Sequence, residues 1–105
     1  MDRMITLTCK ISRSAFSDER VFRLTLANGS EHVGAASRIY FYKSDGTPLS
    51  AAEPAPDRSI DGTVAGQRIR EAAGRVMVSL PDGDVVEVKR SQVSQEAPHN
   101  VLVES

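Results

Sequence analysis

The chain has no tryptophan, a single cysteine, two histidines and no long apolar run. Each shortage excludes something. Cys9 alone cannot form an intramolecular disulfide, and one cysteine with two histidines falls short of a four-ligand Cys/His zinc site. The formal net charge is −1, so the basic excess that phosphate binding normally needs is missing, and nucleic acid is not the default partner. Residues 1–50 carry seven Lys/Arg against five Asp/Glu and residues 51–105 six against nine, too small an asymmetry to define a polyanion site. No apolar stretch approaches a signal-peptide core or a membrane span, which makes a cytoplasmic protein with no membrane partner the expectation. Aromatics make up 5% of the chain, so its core must come mainly from Val, Ile and Leu, residues that suit strands.

What is present reads as short strands punctuated by turns. Ile5 to Ser12 alternates cleanly, with Ile5, Leu7, Cys9 and Ile11 on one face. Cys9 on that face reads as a small buried hydrophobe. Arg20 to Ala27 alternates again, with Phe22, Leu24 and Leu26 on one face, and Asn28-Gly29 predicts a two-residue hairpin turn to a return strand at Ser30–Val33. Gly34 to Arg38 reads as a single helical or 3₁₀ turn, and Ile39 to Lys43 as an aromatic strand. Leu49 to Arg58 is a Pro/Ala-rich connector without periodicity.

The stretch Gly62–Val93 predicts a three-strand meander: Thr63–Arg70, a turn at Ala72-Ala73-Gly74, Arg75–Leu80, a tight turn at Pro81-Asp82-Gly83-Asp84, and a return at Val85–Val88. Lys89–Val93 reads as a short turn, Ser94–Pro98 as a polar link, and Asn100–Glu104 as a closing strand. Leu24 to Gly29 resembles Val78 to Gly83, 54 residues later, and Ser37 and Ile39 recur as Ser91 and Val93. Duplicated half-barrels would produce this, and so would independent hairpins converging on the same turn chemistry.

The expected fold class is all-β: a small SH3-like barrel or a compact β-sandwich of about seven to eight short antiparallel strands. One domain over residues 1–105 is expected, with two similar halves, 1–48 and 58–105, as its internal alternative. Over residues 58–103 the order of long strand, hairpin, 3₁₀-like turn and last strand resembles an SH3-like barrel in architecture. The peptide-binding SH3 family is a different matter, because its aromatic groove needs Trp and clustered Tyr, and residues 58–103 contain no aromatic residue.

No catalytic constellation, cofactor cradle or metal site emerges. His32 reads as a solvated strand histidine apart from His99, and Asp82 and Asp84 as turn residues. No Gly-x-Ser-x-Gly elbow occurs, and the glycines are scattered singly. The one cluster with binding character is Arg38, Tyr40, Tyr42 and Lys43: either the two tyrosines face solvent between cations, or they pack inward and Phe41 covers another edge. Arg68 and Arg70 share a strand face and would form a basic stripe, with Asp84 and Glu87 placed to neutralise it. These features predict a non-catalytic binding module for protein partners or for self-association, with Ile5–Ile11 or Val101–Val103 as candidate pairing edges. Single-stranded nucleic acid, stacked on Tyr40 and Tyr42 with Arg38, Lys43, Arg68 and Arg70 on its backbone, is the alternative.

Overall fold

The structure is a computed structural model, and it describes residues 3–96. Two long strands make its centre. Strand β1 (Arg3–Arg13) and strand β5 (Ser59–Ala72) pair antiparallel from Arg3 opposite Arg68 to Ser12 opposite Ser59. The alternation read in β1 is realised: Ile5, Leu7, Cys9 and Ile11 are buried. Each long strand divides its other edge between two neighbours. On β1, strand β2 (Glu19–Thr25) pairs with Lys10–Arg13, and strand β8 (Val93–Glu96) with Ile5–Leu7. On β5, strand β6 (Arg75–Ser79) pairs with Gln67–Ala72, and strand β4 (Phe41–Lys43) with Gly62–Val64. Strands β3 (Glu31–Ser37) and β7 (Val85–Lys89) stand at the two ends of the path β3-β2-β1-β5-β6-β7. The result is an all-antiparallel sheet of eight strands curled into a half-barrel.

The element order repeats. Each half runs long strand, hairpin, 3₁₀ turn, short strand, the 3₁₀ turns lying at Arg38–Tyr40 and Arg90–Gln92. The short strands are exchanged: β4 of the first half pairs with β5 of the second, and β8 of the second with β1 of the first. Leu7 and Val64 sit opposite each other, Phe41 lies beside Val64, and Val93 beside Leu7. One core cluster draws on both halves, including Ile5, Leu7, Phe22, Phe41, Val64 and Val78. Burying each such side chain contributes roughly 1.5–3 kcal/mol before chain entropy is counted.

Three loops share one design. In Leu26–Ser30, Lys43–Thr47 and Leu80–Asp84 the first residue donates its N–H to the carbonyl of the fifth, and the glycine N–H returns to the carbonyl of the first. Gly29, Gly46 and Gly83 carry φ of 90°, 89° and 95°, so a side chain there would be strained. The preceding Asn28, Asp45 or Asp82 accepts the N–H two residues on, at 2.9, 3.0 and 2.9 Å. Asn28-Gly29 therefore belongs to a three-residue loop with a glycine bulge, in place of the expected two-residue turn.

Several boundaries move. Gly34–Ser37, expected as a helical turn, extends β3, because β2 offers a ladder and Phe22 fills the space above Gly34. The 3₁₀ turn falls at Arg38–Tyr40 and removes Ile39 and Tyr40 from the expected aromatic strand, leaving Phe41–Lys43. The second 3₁₀ turn and β8 occupy the stretch expected as turn and polar link. Ile5–Ile11, a candidate free edge, lies in a central strand, paired throughout with β5 and on its other side with β8 at Ile5–Leu7 and with β2 from Lys10. The expected closing strand at Asn100–Glu104, the edge at Val101–Val103 and His99 lie outside the described residues.

Candidate functional site

The residues expected to bind a partner are spread over several places. Phe41 is fully buried against the Phe22 ring, at a centroid distance of 5.7 Å, so of the two faces weighed it is Phe41 that enters the core. Tyr42 is half-buried between Thr63 and Pro48. Tyr40 is exposed, together with Ile39. It lines a crevice of about 160 Å³ with Met4, Gly66, Leu80 and Pro81. The two tyrosines thus do not form one stacking platform on one strand face, because the 3₁₀ turn breaks the alternation between them.

The cations of that cluster hold the connector. Arg38 donates from Nη1 to the Leu49 carbonyl at 2.9 Å and pairs through Nε with Asp18 at 3.0 Å. Lys43 meets Glu53 at 3.1 Å. The Ser50 N–H and then Lys43 hold the Glu53 carboxyl below its ordinary pKa. Arg13 reaches the Pro54 carbonyl. The chief anchor is Arg20, which is fully buried. Its guanidinium donates to the carbonyls of Ser17, Glu19, Ala51 and Glu53 at 2.8–3.0 Å. Burial, with Arg13 and Arg38 nearby, lowers its pKa, and Asp18 opposes the shift. A planar fork with five donors can satisfy this ring of carbonyls, whereas an ammonium cannot. The sequence carried a signal for Arg20: it has the same parity as Phe22 and Leu24, the core face of β2.

Arg68 and Arg70 do not share a face. A bulge between them sets Arg68 opposite Val78 and Arg70 opposite Met77, consecutive residues of β6. Arg68 pairs with Glu71 at 3.3 Å, Arg90 with the same carboxylate at 3.1 Å, and Arg75 with Glu87 at 3.4 Å. Glu71, unforeseen, takes the neutralising role expected of Asp84.

Two crevices occupy corresponding places, where a long strand parts from its own hairpin and from the 3₁₀ turn of the other half. The one on β5 holds Tyr40. Its counterpart on β1 is a cleft of about 390 Å³, lined by Lys10, Arg23, Thr25, Asp61, Thr63 and Gln92 among others. A 2.7 Å ion pair between the exposed Lys10 and Asp61 lies on it. Cys9 lies at its floor; burial and then Asp61 push the thiol from 9.0 to about 12, so it is no nucleophile at neutral pH.

The outer strands also correspond, and here the halves differ. The hydrogen-bonded loop closures fix which residues of β3 and β7 turn their N–H and C=O outward: Glu31, Val33, Ala35 and Ser37 on one, Val85, Glu87 and Lys89 on the other. The β7 edge is covered. Ala27 donates its N–H to the Glu87 carbonyl at 2.8 Å. Gln92 accepts the Lys89 N–H at 3.2 Å and donates to the Thr25 carbonyl at 2.6 Å. At the matching positions beside β3 stand Pro81 of the second half, which lacks an N–H, and Tyr40, which lacks an amide. Among the described residues, nothing pairs with the outer backbone of β3.

In place of the missing backbone bond a side-chain pair closes that end. His32 Nε2 lies 2.9 Å from Asp82 Oδ2 and 3.6 Å from Asp84 Oδ2. His32 is therefore largely buried and partnered, contrary to the solvated position expected, and Asp82 serves both its turn and this contact. Gly34 makes room for it: a Cβ there would overlap Asp82 Oδ2 and come within 2.9 Å of the Phe22 ring. Among the described residues, His32, Asp82 and Asp84 form the one group whose ligand atoms can converge on a cation, all within 4.8 Å of one another. The hydrogen bonds account for the grouping without an ion.

Among the described residues no helix is long and apolar enough to cross a membrane. No protein-family model, curated protein or solved structure matches the chain.

Proposed function

We propose that the protein is a non-catalytic interaction module that engages a polypeptide by adding a strand to its sheet. The outer edge of β3, which no other described residue pairs, carries this reading. A strand edge presents alternating N–H and C=O groups that an extended chain satisfies at once, and most proteins protect such edges with Lys, Pro, a bulge or a cover. Strand β3 reads Glu-His-Val-Gly-Ala-Ala-Ser, with its single charge at the start and no Pro or Lys, and Val33 is half-exposed upon it. Tyr40 and Met4 in the crevice on β5 add exposed surface of the kind protein partners bury. Single-stranded nucleic acid has less support, because Arg38, Lys43 and Arg68 are engaged with acidic residues of the same chain and the tyrosines are separated.

The experiment is selection from a displayed library of random peptides, repeated with Ala35→Pro. Ala35 turns its N–H away from β2, so proline removes an outward donor and spares the β2–β3 ladder. Extended peptides selected by the wild type and lost by the variant are expected. Peptides bound equally by both proteins would overturn the reading of the edge.

A further inference from the structure

We infer that the occupant of the β3 edge is a second copy of the same edge, so that two half-barrels join into a continuous sheet across a two-fold axis beside Gly34. This rests on the reading of β3 as a pairing edge and names the partner. The strand is self-complementary. In an antiparallel pair centred on Gly34, Val33 of each copy faces Ala35 of the other and Glu31 faces Ser37, so every residue with outward backbone groups meets another of the same kind. This register also keeps the side chains of Glu31, Val33, Ala35 and Ser37 on one face of the joined sheet. No like charges oppose each other in this register. Centring the pair on Val33 drives the strand end into the Gly29 turn, and centring it on Ala35 drives it into the 3₁₀ turn at Arg38–Tyr40. The register at Gly34 alone uses all seven residues.

The β7 edge cannot do the same. Its central carbonyl, on Glu87, is taken by Ala27, and its Lys89 N–H by Gln92. Association through β3 therefore closes at two copies and does not propagate into a filament. A single short strand pair buries little surface, so the dimer is weak, with Kd on the order of 10⁻⁵ to 10⁻³ M.

Sedimentation equilibrium of the full chain, from about 10 µM to about 1 mM, tests this. A monomer–dimer equilibrium is expected, weakened tenfold or more by Ala35→Pro and by Val33→Lys, and unchanged by Val85→Lys on the covered edge. Thermal melts of each variant report whether the fold persists. A monomer at every concentration overturns the inference, as does a dimer indifferent to both β3 variants. If peptides are still selected at the edge of such a monomer, the interaction-module reading stands and only the second copy fails. Slow amide exchange at Val33 and Ala35 in a monomer would also overturn it, since the edge would then be covered by the protein's own chain.

Discussion

The two halves follow one plan and close it differently. At the outer edge of β7 the chain uses backbone and amide: Ala27 N–H on the Glu87 carbonyl, and Gln92 bridging Lys89 and Thr25. At the matching place beside β3, proline and tyrosine stand where those donors would be, and a His32–Asp82 pair makes the closure from inside. The halves also differ at their first turns. In the second half β5 and β6 meet in a two-residue turn, Ala73-Gly74, both with positive φ. In the first half a longer link follows β1, and buried Arg20 gathers it together with the connector. A repeated architecture can thus keep its strand plan while each copy spends different residues on its ends, and among the described residues only the first copy's edge is left unpaired.

The largest expected effect tests the arginine that sets the first half apart. Arg20→Met leaves carbonyls of Ser17, Glu19, Ala51 and Glu53 without donors, and should cost more than about 3 kcal/mol in urea unfolding. Arg20→Lys should restore only a minor part, because one ammonium cannot span that ring. Gly34→Ala comes next. Its methyl must displace Asp82 and Phe22, at an expected cost of about 1–3 kcal/mol, and Asp82→Ala in the same chain should relieve part of it.

His32→Ala and Asp82→Ala should each cost about 1–3 kcal/mol and the double variant much less than their sum, if the pair is the closure argued above. Additive costs would break the comparison. Ala27→Pro imposes the second half's solution on the first. Proline suits that turn position, so the loss should be near one hydrogen bond, about 1 kcal/mol, with the Glu87 carbonyl released.

The smallest effect near neutral pH is that of Cys9, which emerges only at alkaline pH. The Cys9 thiol is raised from 9.0 to about 12 in the folded protein, so the unfolded chain loses its proton first as pH rises. Its contribution is intact below pH 9.0 and drains away between 9.0 and about 12. Cys9→Ala should flatten the decline of stability over that window, read by urea titrations at successive pH values.

Much of the fold was legible in the residues. Period-two alternation placed Ile5, Leu7, Cys9 and Ile11 inside, and the dipeptides Asn28-Gly29 and Asp82-Gly83 marked two hairpins, because strand pleat and glycine φ are local properties. The echo between those hairpins was visible too, although its cause stayed open. The site was less legible. Arg38 and Lys43 looked like partner-binding cations until the connector came to lie against them, and the stripe of Arg68 and Arg70 depended on a register that a bulge changed. His32 and Asp82 are 50 residues apart in the chain, and no local pattern joins them.

The sequence by itself determined the class of fold, the turns and the inward face of the first strand, since these follow from dihedral preference and alternating burial within a few residues. Only the tertiary structure decided the exchange of β4 and β8, the core position of Arg20, the covered edge of β7 and the β3 edge that the described residues leave unpaired. Each of these depends on which backbone groups distant segments bring together, and hydrogen-bond satisfaction is a property of that assembly.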